Sequence, residues 1–282
     1  MRSSSASCAV ASFAGAFAAS HGPLIVRDWD AIPGDEKTRL EKAFRELGRR
    51  VAAAKPDVLV AVSPDHWSNF FLDNYPAVCI GVGESNEGPP EPWMKAYPHR
   101  NLAGHAAFAM HVAEEALRQG FEPSLSHRLK LDHGTCIPLW RMELPQMPAL
   151  VPMLVNSIEP PMPSLARCLE WGKLLRKAIE SHPGELRVGI LATGGLSHSI
   201  GEKTMGAIHE DFDRETIKRF SSSENSLLEY LGKELPSRGN GSEEVRNWLV
   251  AHGAAGGRGF ELVDYLPVPA VIVGCGFASW RV

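Results

Sequence analysis

The stretch DEKTRLEKAFRELGRRVAAAKPDVLVAVSPDH, residues 35–66, changes its hydrophobic period partway along. Leu40, Ala43, Phe44, Leu47 and Val51 recur at helical spacing, which predicts a helix over Asp35–Lys55. Pro56 stops it, and the apolar run Val58–Val62 then reads as a strand. His66 falls just past the carboxyl end of that strand.

The same alternation recurs outward from this stretch. Ala77–Val82 is predicted as a strand, Leu102–Gln119 as a helix, Ala149–Val155 as a strand, Leu165–Ser181 as a helix and Val188–Ala192 as a strand. Towards the end, Glu243–His252 reads as a helix with Ser242 as its N-cap, and Val271–Gly274 as a last strand. The proline-rich 156–163 is a rigid connection, and 221–241 is polar and loop-like around a short helix at Leu227–Leu231. No repeat or low-complexity tract interrupts the pattern. Strands alternating with helices predict an α/β fold, one domain over residues 1–282 with a largely parallel central sheet and helices on both faces.

Bulk properties narrow the function classes. With 282 residues, 44% hydrophobic and 22% charged, the chain has the composition of a packed soluble domain. A net charge of −4 offers no basic field, so neither nucleic acid nor a membrane surface is an expected partner. Cys8, Cys79, Cys136, Cys168 and Cys275 are odd in number and widely spaced, without a C-x-x-C pair. They read as small buried hydrophobes in a reducing cytoplasm rather than as a disulfide or zinc framework. Residues 1–20 superficially resemble a signal peptide, but lack Leu and are broken by Ser and Gly; a buried first strand leading into His21 is the expectation.

Open α/β sheets bind ligands beyond the carboxyl ends of their strands, and three histidines fall there. His21 sits in Ser20-His21-Gly22-Pro23, where Gly22 permits unusual backbone angles and Pro23 stiffens the exit. His66 follows Asp65, a neighbour able to orient an imidazole. His198 closes the glycine-rich Thr193-Gly194-Gly195-Leu196-Ser197-His198, which lacks the lysine of a phosphate-cradling loop. His133, in Asp132-His133-Gly134, repeats the aspartate-histidine pairing. Taken singly, each is as readily a turn or surface histidine, and Glu244 a helix-dipole partner. The other histidines (99, 105, 111, 127, 182, 209 and 252) form no ligand pair at helical spacing and read as structural or surface. Arg128, Lys130 and Arg246 read as solvated cations. H-E-x-x-H, G-x-S-x-G and Walker motifs are absent, and Gly81-Val82-Gly83 is only a fragment of a dinucleotide fingerprint.

In order along the chain, Ser20-His21-Gly22-Pro23-Leu24, Ser63-Pro64-Asp65-His66 with Phe70-Phe71, Cys79-Ile80-Gly81-Val82-Gly83, Asp132-His133-Gly134, Gly194-Gly195-Leu196-Ser197-His198 and Glu244-Val245-x-x-Trp248 resemble the class III extradiol ring-cleaving dioxygenases, the superfamily of protocatechuate 4,5-dioxygenase β subunits and 2,3-dihydroxyphenylpropionate dioxygenases. His21 stands later in the chain than in that family's pattern, which an extended N-terminus or a start codon placed too early would account for. The resemblance implies ferrous iron held by His21, His66 and Glu244, chosen over Glu243. It implies an acid–base role for His198 and stabilisation of developing charge by His133. Implied too are a small aromatic diol and dioxygen as substrates, aromatic catabolism, a homo-oligomer, and in some members a small helical partner subunit. A facial triad of two histidines and a carboxylate leaves adjacent positions free for both substrates. Ligand type does not choose iron over zinc or manganese, so a hydrolase using the same histidines remains an alternative, as does a non-catalytic binding relative on the same fold.

Overall fold

Lys55 takes a left-handed backbone (φ 47°) and Pro56 follows it, so the helix that begins at Gly34 ends where the residue before a proline is turned out of helical space. The computed structural model describes residues 10–281. In chain order the elements are β1 (Ser12–Ala19), α1 (Leu24–Arg27), α2 (Gly34–Ala54), β2 (Val58–Ser63), β3 (Val78–Gly81), β4 (Ser85–Gly88), β5 (Arg100–Ala103), α3 (Ala106–Arg118), β6 (Ser124–Ser126), α4 (His133–Arg141), β7 (Ala149–Val155), α5 (Leu165–Ser181), β8 (Arg187–Thr193), α6 (Glu210–Arg219), α7 (Glu224–Glu234), α8 (Val245–Ala254), β9 (Phe260–Val268) and β10 (Val273–Trp280).

Eight strands form one sheet in the order β6-β3-β7-β2-β8-β1-β10-β9, and β4 and β5 form a separate hairpin. Parallel pairing joins β7, β2, β8 and β1 at the centre, and β6 runs parallel to β3. The pairs β3–β7, β1–β10 and β10–β9 are antiparallel. The fold is therefore α/β with a mostly parallel sheet, as the alternation predicts. Every residue of β2 is buried, which an apolar run sandwiched between two helical layers requires. Val58, Val60 and Val62 of β2, with Val188 and Ile190 of β8, pack into one core against α3, α5 and α8. Leu59 and Leu191 pack into the opposite core with Leu40, Phe44, Leu47 and Val51 of α2 and Ile137 of α4. Each such fully buried aliphatic or aromatic side chain contributes about 1.5–3 kcal/mol relative to exposure.

Because β2, β8 and β1 are adjacent and parallel, with Ala19 opposite Thr193 and Val62 opposite Ala192, their carboxyl ends lie at one edge. The loops after them rise side by side there, and this brings residues 21, 66 and 193–198 together.

Several boundaries differ from the sequence reading. The helix expected from Leu102 starts at Ala106, because residues 100–103 pair with β4 and His105 caps the helix by accepting the Phe108 N–H. The helix expected from Glu243 starts at Val245; residues Asn240–Glu244 form a 3-10 turn, and the Ser242 hydroxyl donates to the Arg238 carbonyl instead of capping. The last strand is Val273–Trp280 rather than Val271–Gly274, and its partner β9 was not read at all. Cys79, Cys136, Cys168 and Cys275 are buried free thiols, and Cys8 lies outside the described residues. Among the described residues, no helix is long and apolar enough to cross a membrane.

Candidate metal centre

His21 leaves β1 already buried, at 3% exposure. The preceding Ser20 ties that loop down: its hydroxyl donates to the Gly195 carbonyl and accepts the Gly276 N–H at 2.9 Å. His21 Nδ1 lies 3.1 Å from the Thr193 hydroxyl. Its Nε2 is buried without a hydrogen bond and stands 3.3 Å from Glu244 Oε1.

His66 approaches the same oxygen. Its Nε2 is 3.4 Å from Glu244 Oε1, while Asp132 Oδ2 accepts the His66 backbone N–H at 2.8 Å and lies 3.1 Å from Nδ1. The orienting carboxylate is thus Asp132 and not the adjacent Asp65. Asp65 turns back into the following turn, accepting the Asn69 and Phe70 N–H groups at 3.1 and 2.9 Å and the Asn69 amide at 2.7 Å. A carboxylate at the head of a turn satisfies the nearest free backbone donors, which leaves it none to spare for its neighbour's ring.

Glu244 closes the 3-10 turn before α8 and is buried. Its Oε2 accepts the Gly195 N–H at 2.6 Å, which leaves Oε1 to the two histidines. Trp248 Nε1 donates to the Gly194 carbonyl at 3.1 Å and Asn247 to the Thr193 carbonyl at 2.8 Å, so α8 is clamped onto the glycine-rich loop by the residues that follow the glutamate. Gly194 has a φ of +114°, and a Cβ there would come within 2.6 Å of Glu244 Oε2, so only glycine fits.

His198 donates Nδ1–H to its own loop, to the Leu196 carbonyl at 2.9 Å, so Nε2 is the nitrogen free to act, 3.9 Å from Glu244 Oε2. Gly241 packs directly against the imidazole, where a Cβ would collide with it. His133 is the first residue of α4, capped by Asp132, and Glu91 Oε1 takes both its Nδ1 at 2.7 Å and its backbone N–H at 2.8 Å. The His66 and His133 rings lie against each other at a tilt of 33°, centroids 4.1 Å apart.

All five residues singled out from the sequence therefore meet, lining one cavity of about 530 Å³. Ligand atoms of His21, His66 and His133 lie within 4.8 Å of one another, as do those of Glu91, Asp132 and His133, so the cluster can hold a cation. Burial opposes the Glu244 charge, but His21 and His198 outweigh it and hold the carboxyl well below its usual range. Burial likewise opposes the Asp132 charge and is overcome chiefly by His66. His66 is lifted to about 10: burial lowers it, but Asp132 and Glu244 raise it further. Burial keeps His21 below the ordinary histidine value.

Sequence reasoning missed Asp132 as the partner of His66, together with Glu91 and Thr193, because each reaches its histidine from a distant segment. Arg246, expected to be solvated, is buried: it donates to the Pro163 carbonyl at 2.8 Å and pairs with Glu243. Arg128 and Lys130 are exposed as expected. His252 is buried and accepts the Trp280 indole N–H at 3.0 Å, a structural role.

Residues 15–276 match the family described as the catalytic LigB subunit of aromatic ring-opening dioxygenase. A gallate dioxygenase of Pseudomonas putida is 33% identical over 54% of this chain and 46% of its own length, so that match spans less than half of the relative. A 2,3-dihydroxyphenylpropionate/2,3-dihydroxicinnamic acid 1,2-dioxygenase of Cupriavidus necator is 25% identical over 85% of this chain and 88% of its own. Among solved structures, an uncharacterized protein of Escherichia coli K12 shares the fold, with a TM-score of 0.62 and 18% identity over 95% of this chain and 99% of that one.

Proposed function

Given that this chain belongs to the family of catalytic LigB subunits of aromatic ring-opening dioxygenases, class III extradiol enzymes, we propose that it is a non-haem Fe(II)-dependent extradiol dioxygenase of aromatic catabolism, opening a catechol-type ring beside its vicinal hydroxyls and inserting both atoms of dioxygen. The observation that carries this reading is the convergence of His21 Nε2 and His66 Nε2 on a single oxygen of Glu244, at 3.3 and 3.4 Å. His21 Nε2 has no hydrogen bond despite its burial, an arrangement costly in a protein interior that a bound metal ion would relieve. The opposite atom of each ligand is pinned, by Thr193, Asp132 and the Gly195 N–H, as metal-binding side chains require.

His21, His66 and Glu244 would hold the iron. Bound there, ferrous iron would supply a redox-active Lewis acid able to bind a catecholate and activate dioxygen. His198 Nε2, freed by the Nδ1–H bond to Leu196, accepts a proton from a catechol hydroxyl and returns it later. His133, beside His66, offers its ring to charge developing on the substrate. Apolar walls from Leu24, Val271, Ile272 and Val273 exclude water from the aromatic ring. The buried free thiols accord with a reducing, cytoplasmic setting.

Iron content tests the ligand set. Glu244→Gln replaces Oε1 or Oε2 by an amide nitrogen and is expected to abolish iron retention after anaerobic loading and desalting. Glu243→Gln, which touches Arg246 and not the cluster, is expected to retain it. The reverse pattern overturns the assignment.

A further inference from the structure

The segment Pro89-Pro90-Glu91-Pro92-Trp93 enters neither the ligand set nor the acid–base step, yet it grips one member of the site from two sides. Glu91 Oε1 meets both the ring Nδ1 and the backbone N–H of His133, at 2.7 and 2.8 Å. Trp93 packs its indole on the same imidazole, centroids 5.4 Å apart. Prolines on both sides of Glu91 restrict its backbone, so the carboxylate is presented from a stiff loop. Its second oxygen is buried without a hydrogen bond, a cost that packing does not explain.

A carboxylate only accepts, so the short contact to Nδ1 requires the hydrogen to sit on that nitrogen. Nε2 is then the ring atom left for the cavity that His133 lines. Asp132, the sequence neighbour, is committed elsewhere: Oδ2 serves His66 and Oδ1 accepts the Gly134 N–H at 2.9 Å. We infer that Glu91 is a positioning residue, which fixes the orientation and Nδ1–H tautomer of His133 so that Nε2 faces the substrate. What His133 does for the reaction rests on the ring-cleaving reading; how it is held does not.

The test combines nitrogen-15 NMR of histidine-labelled, metal-free protein with steady-state kinetics of the iron-loaded enzyme. His133→Asn assigns the His133 resonances. Wild-type protein is expected to show His133 protonated at Nδ1. In Glu91→Ala that tautomer is expected to be lost or mixed, with kcat falling on the order of 10- to 100-fold, KM little changed and iron content intact. Glu91→Gln keeps an accepting oxygen and is expected to restore both the tautomer and most of the rate. An unchanged Nδ1–H signature and kcat in Glu91→Ala overturn the inference. If Glu91→Ala does not fold, Glu91→Asp, whose shorter reach cannot serve both nitrogens at once, takes its place under the same criteria. Should wild-type enzyme consume no oxygen with any catechol, the ring-cleaving reading fails while the NMR arm still decides how His133 is held.

Discussion

Each imidazole of the cluster has its Nδ1 held by the protein: His21 by Thr193, His66 by Asp132, His133 by Glu91 and His198 by the Leu196 carbonyl. For His198 the occupied nitrogen is Nδ1, bonded to Leu196, in a ring wedged against Gly241. Replacing it with Phe preserves the ring's shape but removes the proton acceptor. His198→Phe is expected to keep its iron and lose about 10²- to 10⁴-fold in kcat, read by metal analysis and oxygen uptake on the same preparation. Near-normal turnover would end the acid–base assignment. The positions of His21, His66 and His198 were legible in the sequence because strand ends mark them, and that of His133 through the aspartate-histidine pairing it repeats. Glu244 was not distinguishable from Glu243 without the family motif; physically, the 3-10 turn rotates Glu244 inward and leaves Glu243 to Arg246. Asp132 and Glu91 were illegible as partners, since adjacency along the chain pointed to Asp65 for His66 and to Asp132 for His133. The fold instead brings each carboxylate to its histidine from a segment 66 or 42 residues away.

Among elements, the loop 194–198 is tied to α6 and α8 and, through Asp213, to β9. Its Ser197 donates both its N–H and its hydroxyl to Asp213 of α6, at 2.8 and 2.7 Å, and Tyr265 of β9 donates to the same carboxylate at 2.7 Å. Burial lifts Asp213 from the usual carboxylate range to about 7, against the pull of Tyr265 and Ser197. Between those values the native state keeps a proton that the unfolded chain has released, so this group makes stability fall as pH rises from about 4 to 7, by at most about 1.4 kcal/mol per pH unit. The amide of Asp213→Asn does not titrate, so its unfolding free energy, measured by chemical denaturation across this window, is expected to lack that downward slope. Parallel slopes in the two proteins would contradict the account. The anchors α6 and β9 show where element-scale legibility ends. Helices with a clear apolar stripe, such as α2 and α5, were read nearly to the residue. The β9–β10 hairpin was missed because Gly274, Gly276 and Ser279 hide the strand pattern of β10, and β9 at the sheet edge mixes Glu261 and Asp264 with its apolar residues.

At the scale of the whole molecule, the parallel centre of the sheet is what makes a site possible. Strands β2, β8 and β1 end together, and the 3-10 turn before α8 brings Glu244 from far along the sequence onto the loop after β8. Two cores, one on each face, hold those strand ends in place, so the cavity of about 530 Å³ opens at an edge stiffened from both sides. The alternation of helix and strand was enough to read this architecture. Depth was not: nothing in the residue pattern sets the volume of the cavity or which ring substituents fit it. The most direct test of the central claim is oxygen consumption by anaerobically iron-loaded protein across catechol, protocatechuate, gallate and 2,3-dihydroxyphenylpropionate, with labelled dioxygen and mass analysis of the product. Uptake with at least one diol, a coloured ring-opened product carrying both labelled atoms, and loss of both when iron is withheld are expected; no uptake with any of them, alongside oxygen-independent hydrolysis by zinc- or manganese-loaded protein, would rule out ring cleavage.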